Sequence, residues 1–255
     1  MKFKQRIGII TGASAGFGRD LALDLLKGGA KLVLNARREE PLREIQKLFP
    51  DQVSIVVGDA GDDEVINNLF AKCISDFGAN PNLVVPNAGR GYKSRIIEPL
   101  TDQFEEILNL NVVAVAKLVQ KAGAMFLKDI GDKKLDQLDH PYDIVFLSSV
   151  VGYHYSHISA YYTVTKHALS ALAETLRRDI CKSGVRVTTI YPGFAHTEFQ
   201  KAGGYPADNI VTVEDKIGPI LQSQDVVDTI TFALSLPKHV NISDLVVRPV
   251  RSDYP

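Results

Sequence analysis

Seven short runs rich in β-branched and other apolar residues recur along the chain, at residues 7–11, 31–35, 53–57, 83–86, 143–148, 185–190 and 245–250. Their length and composition predict buried strands. Between them apolar residues fall at helical spacing, as at Leu21, Leu25 and Leu26, at Ile107, Leu110, Ala114 and Leu118, and at Ala168, Leu172 and Leu176. Strand and helix alternating in this way require crossover connections. The expected fold is therefore α/β, a Rossmann-type doubly wound, mainly parallel sheet of about seven strands with helices on both faces. In that architecture ligands bind outside the carboxyl ends of the strands, so the residues that follow each strand are the ones to read for chemistry.

Composition narrows the partners. The chain has 255 residues, and 29 Lys and Arg against 30 Asp and Glu leave a formal charge of -1. No overall basic field is available to hold nucleic acid or an anionic membrane, so a small-molecule partner is expected. The two cysteines, Cys73 and Cys181, stand far apart and form no C-x-x-C pair. Neither a disulfide framework nor a thiolate metal site is written here, and the six histidines do not pair with carboxylates at ligand spacing, so no metal is expected. The apolar run after MKFKQR is too short for a signal peptide's core, and no stretch approaches the roughly 18 uninterrupted apolar residues of a spanning helix. A soluble, cytoplasmic protein is expected, with one domain over 1–255. The polar, Gly- and Pro-bearing stretch 198–219 is too long for a mere connector and reads as a substrate lid. Segment 128–140, rich in charge, reads as a solvated surface excursion.

The first predicted strand runs straight into Gly12-Ala13-Ser14-Ala15-Gly16-Phe17-Gly18, and a helical stretch follows over 19–26. Glycines let the backbone approach a ligand, and a helix start presents unpaired N–H groups to an anion such as a pyrophosphate. The spacing departs from G-x-G-x-x-G, since Leu21 stands third after Gly18. It departs from the P-loop too, since Phe17 and Gly18 stand where Gly and Lys belong. What remains is T-G-x-x-x-G-x-G.

That pattern resembles the short-chain dehydrogenase/reductase family, in which the three glycines, here Gly12, Gly16 and Gly18, cradle a dinucleotide, with Ser14 and Phe17 in the same turn. A cofactor with a free ribose 2′-hydroxyl would be met by an acidic side chain roughly 20 residues further on. Asn35-Ala36-Arg37-Arg38 occupies that place. Two guanidinium groups suit a 2′-phosphate, so NADP(H) is the expected cofactor. Two more landmarks follow in order. Asp59 matches the acid that meets the adenine, and Asn87-Ala88-Gly89 matches the family's N-A-G turn, with Pro86 in place of the Asn that usually precedes it. Proline removes a backbone donor there, so a local change in strand-end bonding is expected.

Ser148-Ser149 end the fifth predicted strand, and Tyr162 and Lys166 stand four apart in a helical segment, where both side chains leave one face. Tyr161 lacks that partner, because Thr165 lies four beyond it. Bringing a phenol from its reference value near 10 to neutrality takes about 4 kcal/mol. An ammonium at about 4 Å and an effective dielectric of about 20 supplies about 4 kcal/mol. The resemblance gives Lys166 a second role on the nicotinamide ribose. It assigns the substrate oxygen to Ser149, thirteen residues before Tyr162, and a water-linked proton path to Asn111, with Asn109 as the competing choice. Pro192-Gly193-Phe194-Ala195-His196-Thr197 matches the family's P-G-x-x-x-T, whose Thr bonds the nicotinamide carboxamide.

The resemblance thus implies hydride transfer between NADP(H) and a carbonyl or alcohol of a small polar substrate, with Tyr162 as proton donor. Substrate contacts are expected from Tyr92, Tyr153, His154, Tyr155, His157, Phe194 and His196, with Arg90 or Arg95 as candidates for a carboxylate. A homotetramer or dimer built through the helices around 111–128 and 161–182 is a further implication. The competing reading is a catalytically inactive dinucleotide-sensing regulator of the same fold, against which the intact Ser149, Tyr162 and Lys166 set argues.

Overall fold

The computed structural model describes residues 2–99, 101–156, 158–203 and 213–253. Strands β1 (Ile7–Thr11), β2 (Lys31–Ala36), β3 (Val53–Val57), β4 (Leu83–Val85), β5 (Tyr142–Leu147), β6 (Val185–Pro192) and β7 (Asp244–Val247) form one sheet in the order β3-β2-β1-β4-β5-β6-β7. Every pairing is parallel. The helices are α1 (Gly16–Lys27), α2 (Glu39–Leu48), α3 (Asp63–Phe77), α4 (Asp102–Leu108), α5 (Ala114–Ile130), α6 (Ala160–Ile180), α7 (Phe199–Ala202) and α8 (Ser223–Leu234). The chain winds outward from β1 in one direction and from β4 in the other, which opens a crevice at the carboxyl ends of this central pair.

Alternation along each strand divides the core into two layers. Ile10, Leu32, Leu34, Val145 and Ile190 face α1 and α8 through Leu21, Leu25, Val226 and Ile230. Ile9, Val33, Val84, Ile144 and Phe146 face the other side, where Leu69, Phe70, Leu118, Phe126 and Leu169 cover them. Both sheet faces being covered is why these strands read as continuous apolar runs. At the floor of the sheet, opposite the crevice, Asp143 of β5 pairs with both Arg6 and Arg186. The Arg186 guanidinium holds it at 2.7 and 2.9 Å and also caps the end of α8 through the Leu234 and Leu236 carbonyls.

The structure moves several predicted boundaries. Strand β4 stops at Val85 because Pro86 cannot donate, and Asn87 N–H turns to the Val85 carbonyl (2.9 Å) and the Thr11 hydroxyl (3.1 Å) instead. Strand β5 ends before Ser148. Strand β6 runs two residues beyond its predicted end, since Tyr191 and Pro192 pair with Val246 and Val247, and β7 ends before Arg248.

Segment 128–140 is not a free solvated excursion. Lys128 to Ile130 complete α5, Leu138 is buried, Leu135 packs against the core, and Lys238 Nζ holds the Asp136 and Leu138 carbonyls at 2.8 Å. Apolar residues inside a charged stretch pulled it down. Helix α4, a π-helical turn at Asn109–Val113 and α5 run on as one helix, Asp102–Ile130, which by length and composition alone could cross a membrane. Here Val115, Leu118, Val119, Ala122 and Phe126 bury its face in the core.

Candidate active site

The turn from β1 to α1 has the backbone its glycines permit. Gly12 (φ 67°) and Gly16 (φ 53°) are left-handed, a region that side chains with a Cβ rarely enter. At Gly18 the constraint is space, because a Cβ would lie 2.3 Å from Asn87 Nδ2 and 2.6 Å from the Gly12 carbonyl oxygen. Helix α1 starts without a side-chain cap and without an acidic residue in its first turn, so its N-terminal N–H groups and dipole face an anion unopposed. Phe17 turns its ring into the core, which leaves its backbone for a ligand.

The N-A-G turn braces this loop. Asn87 Nδ2 donates to the Thr11 and Gly12 carbonyls at 2.9 and 3.2 Å, and Ala88 N–H donates to the Thr11 hydroxyl at 3.0 Å. Gly89 lies against Asn111, where a Cβ would approach Oδ1 to 3.2 Å. On the other flank Asn35 Nδ2 ties β2 to β3 through the Val56 and Gly58 carbonyls, and Arg37 and Arg38 stand exposed just beyond. The Arg38 guanidinium donates to the Ser14 hydroxyl (3.2 Å) and pairs with Glu198 at 2.9 Å. Asp59 follows β3, and its carboxylate accepts from Gly61 N–H at 2.8 Å. These residues line the crevice from the end of β3 to the end of β4. Left-handed glycines, an uncapped helix start and two exposed arginines fit a dinucleotide carrying phosphates.

Beyond β4 the crevice changes character. Tyr162 and Lys166 are both buried on α6, and Lys166 Nζ lies 5.6 Å from the centre of the Tyr162 ring while donating to the Leu147 carbonyl at 2.7 Å. Burial pulls the Lys166 ammonium down from 10.5 to about 8. It stays mainly protonated at neutrality. The Tyr162 ring packs with Val150, Val151 and Phe199, which places it beside the turn that Ser149 opens. The serines divide. Ser148 is buried, with its hydroxyl on the Lys166 carbonyl and on Ser170, whereas Ser149 is partly exposed and accepts only a long bond from Val151 N–H at 3.4 Å.

Tyr161 points elsewhere, stacked near Tyr92 and Phe104 with its hydroxyl toward the Glu98 carbonyl. Asn111 is buried in the π-helical turn and Asn109 is exposed. The Asn111 amide is fully engaged: Oδ1 accepts from Arg90 N–H (3.0 Å), and Nδ2 donates to the Arg90 carbonyl (3.0 Å) and the Thr165 hydroxyl (3.1 Å). It thereby clamps the segment after the N-A-G turn to α6. A π-bulge is a common device for aiming a side chain into a site.

Pro192 ends β6 in register with Val247, and Gly193 N–H donates to the Val247 carbonyl at 2.7 Å. Thr197 lies over the glycine turn, its Cβ 3.5 Å from where a Gly16 Cβ would stand, and its hydroxyl accepts from Phe199 N–H. The expected specificity residues separate. Tyr92 donates or accepts at Thr101, and Tyr153 rests edge-on against Tyr191 and His154. Phe194 is held by backbone pairing with Leu221. Tyr155 is 81% exposed and stacked on His167, so it faces outward rather than into the site. His196 engages Glu214 at 2.9 Å, and Arg90 pairs with Glu106 at 3.2 Å. His157 and part of the 198–219 segment lie outside the described residues. Two contacts here have no local sequence signal: Arg38 with Glu198, and Arg248 with His154. The second arises because β7 ends at Val247, three residues before its predicted end, so Arg248 follows the strand instead of lying within it.

Comparison with known proteins agrees with this geometry. The profile of the family described as short chain dehydrogenase matches residues 6–204. An uncharacterized oxidoreductase of Staphylococcus epidermidis is 28% identical over 249 residues, covering 98% of this chain and 99% of its own. One from Staphylococcus aureus is 28% identical over 246 residues, covering 96% and 97%. Among solved structures, a serine dehydrogenase in its closed form with NADP+ superposes with a TM-score of 0.86 at 24% identity, covering 97% of this chain and 96% of its own. An alcohol dehydrogenase from Thermococcus sibiricus with 5-hydroxy-NADP gives 0.79 at 24% identity, covering 98% and 99%. The profile match spans well over half of the sequence and includes the glycine turn, Asn111, Ser149, Tyr162 and Lys166, and so the chain is an oxidoreductase of the short-chain dehydrogenase family.

Proposed function

We propose that the protein is an NADP(H)-dependent oxidoreductase that interconverts a carbonyl and a secondary or primary alcohol on a small polar substrate. The observation that carries the reading is the buried Lys166 ammonium placed 5.6 Å from the Tyr162 ring and held there by the Leu147 carbonyl. A fold gains little by burying a cation beside a phenol unless the phenol's proton is to be moved. Gly12, Gly16, Gly18 and the start of α1 would hold the pyrophosphate, Asp59 the adenine, Arg37 and Arg38 the 2′-phosphate, and Asn87, Gly193, Thr197 and Lys166 the nicotinamide half. The NADP+-bound serine dehydrogenase and the 5-hydroxy-NADP-bound alcohol dehydrogenase of the same fold support that choice of cofactor.

When bound, reduced nicotinamide supplies the hydride. Tyr162 gives its phenolic proton to the carbonyl oxygen as negative charge develops there, and the Ser149 hydroxyl donates a hydrogen bond to the same oxygen. Lys166 favours the phenolate that results and so lowers the cost of the transfer. Asn111 keeps the Arg90 segment and α6 in register, which preserves the spacing between the two walls. In the reverse direction the Tyr162 phenolate takes the alcohol's proton. Helical assembly is a further part of the reading: Val113 in the turn between α4 and α5, Leu127 on α5 and Val164 on α6 are 41, 38 and 46% exposed.

The test follows absorbance of reduced nicotinamide with a panel of carbonyl compounds, using NADPH and NADH in parallel, for the wild type and Tyr162→Phe. The expected result is turnover with NADPH and a loss of several orders of magnitude in kcat for Tyr162→Phe at unchanged NADPH affinity. A fully active Phe variant overturns the mechanism.

A further inference from the structure

Strand β7 runs parallel to β6, so the residue after Val247 emerges on the same rim as Ser149 and Gly193. That residue is Arg248. Its Cα lies 3.4 Å from where a Gly193 Cβ would stand, which sets it directly behind the P-G turn. From there the side chain reaches back across the end of β6, and its Nη2 lies 2.8 Å from His154 Nε2. His154 belongs to the turn that Ser149 opens: its N–H donates to the Val150 carbonyl at 2.8 Å, and Gly152 in the same turn packs against the Lys166 carbonyl. The guanidinium thus spans from the last strand to the segment following the serine.

The charge of this pair is unbalanced. A guanidinium only donates, so His154 Nε2 must accept, which makes the imidazole neutral with its proton on Nδ1. The pair carries a net positive charge. Among the described residues no carboxylate forms an ion pair with Arg248, and its Nε is buried with no hydrogen-bond partner. The chain treats its other inward arginines differently. Arg6 and Arg186, both buried, share Asp143. Taking a cation partly out of water without a counter-ion is costly, and a ligand that brings the anion removes the cost.

We propose that Arg248, aimed by His154, anchors a carboxylate on the substrate, so that the compound turned over is a short oxo or hydroxy acid. The planar fork of a guanidinium matches a carboxylate through two parallel N–H···O bonds, and the turn from Ser149 to His154 puts the anchored carboxylate on the same rim as the serine hydroxyl. This assignment rests on the oxidoreductase reading above and adds the substrate class. It also moves the anion site away from Arg90 and Arg95 to a residue on the opposite side of the crevice.

The test compares a short oxo acid with its methyl ester as substrates for the NADPH-loaded wild type, Arg248→Met, Arg248→Lys and His154→Leu. The measured quantity is the ratio of kcat/KM for acid over ester. The wild type is expected to prefer the acid. In Arg248→Met the ratio falls by at least about 30-fold, the size of a charge-assisted hydrogen-bonded pair, and through KM rather than kcat. Arg248→Lys restores part of the preference. His154→Leu, which keeps the charge and loses its aim, lowers the ratio by about 3- to 10-fold. NADPH affinity and the thermal midpoint of each variant report folding, and if Arg248→Met does not fold, the Lys and Leu variants carry the comparison. An enzyme that reduces the ester as well as the acid, or a ratio unmoved by these substitutions, overturns the carboxylate assignment while leaving the oxidoreductase reading standing. A wild type inactive on every carbonyl offered with either nicotinamide overturns both.

Discussion

Lys166 offers a test with a definite sign, because burial lowers its proton affinity. Its ammonium is held at about 8 in the folded protein against 10.5 when solvated. Between those values the unfolded chain binds the proton and the folded chain has released it, so stability rises with pH across that window. The penalty for burying the charge is fully present below about pH 8 and fades as pH climbs toward 10.5. At pH 7 it amounts to about 3 kcal/mol and at pH 9.5 to roughly half of that.

Lys166→Met removes this titration and leaves the other ionisable groups in place. Urea unfolding of the cofactor-free wild type and Lys166→Met, followed by far-UV circular dichroism at pH 7.0 and 9.5, yields four unfolding free energies. The wild type is expected to gain about 2 kcal/mol more than the variant on going to pH 9.5. Equal changes in the two proteins, or a larger gain in the variant, would refute the claim that the folded site holds a desolvated ammonium. Under the proposed function, a cation retained at such cost serves the phenol 5.6 Å away rather than the fold.

The other expectations concern the walls of the crevice. Replacing Arg37 and Arg38 together by Ala raises the NADPH dissociation constant by about 10- to 100-fold and that of NADH by less than about threefold, as read by nucleotide fluorescence; equal losses remove the 2′-phosphate assignment. Gly18→Ala forces a Cβ to within 2.3 Å of Asn87 Nδ2, so either the glycine turn or the N-A-G turn must shift. A loss of about 1–3 kcal/mol in stability and a weaker dinucleotide complex are expected, measurable by thermal unfolding and nucleotide titration. Asn111→Leu gives up the amide's bonds to the Arg90 backbone and Thr165, and should cost about 2–4 kcal/mol in urea unfolding together with a drop in kcat. Full activity at reduced stability would show that the clamp serves the fold alone.

Much of this molecule was legible in the order of its residues. Local period and β-branching mark each strand to within a few residues, because burial on both faces demands apolar side chains at every position of a central parallel strand. The glycine turn is legible because left-handed backbone and close approach admit hardly any other residue, and Tyr162 with Lys166 because helix geometry alone puts positions four apart on one face. Competing neighbours were settled elsewhere. Asn111 over Asn109, the inward Ser148 against the open Ser149, and the outward Tyr155 all depend on which side of an element meets another element, and composition around them is alike. The same is true of Arg38 with Glu198 and Arg248 with His154, separated by 160 and 94 positions. Local periodicity determines where strands and helices begin and which face they bury. Only the folding of distant strand ends onto one rim decides which charge finds a partner and which is left for a ligand.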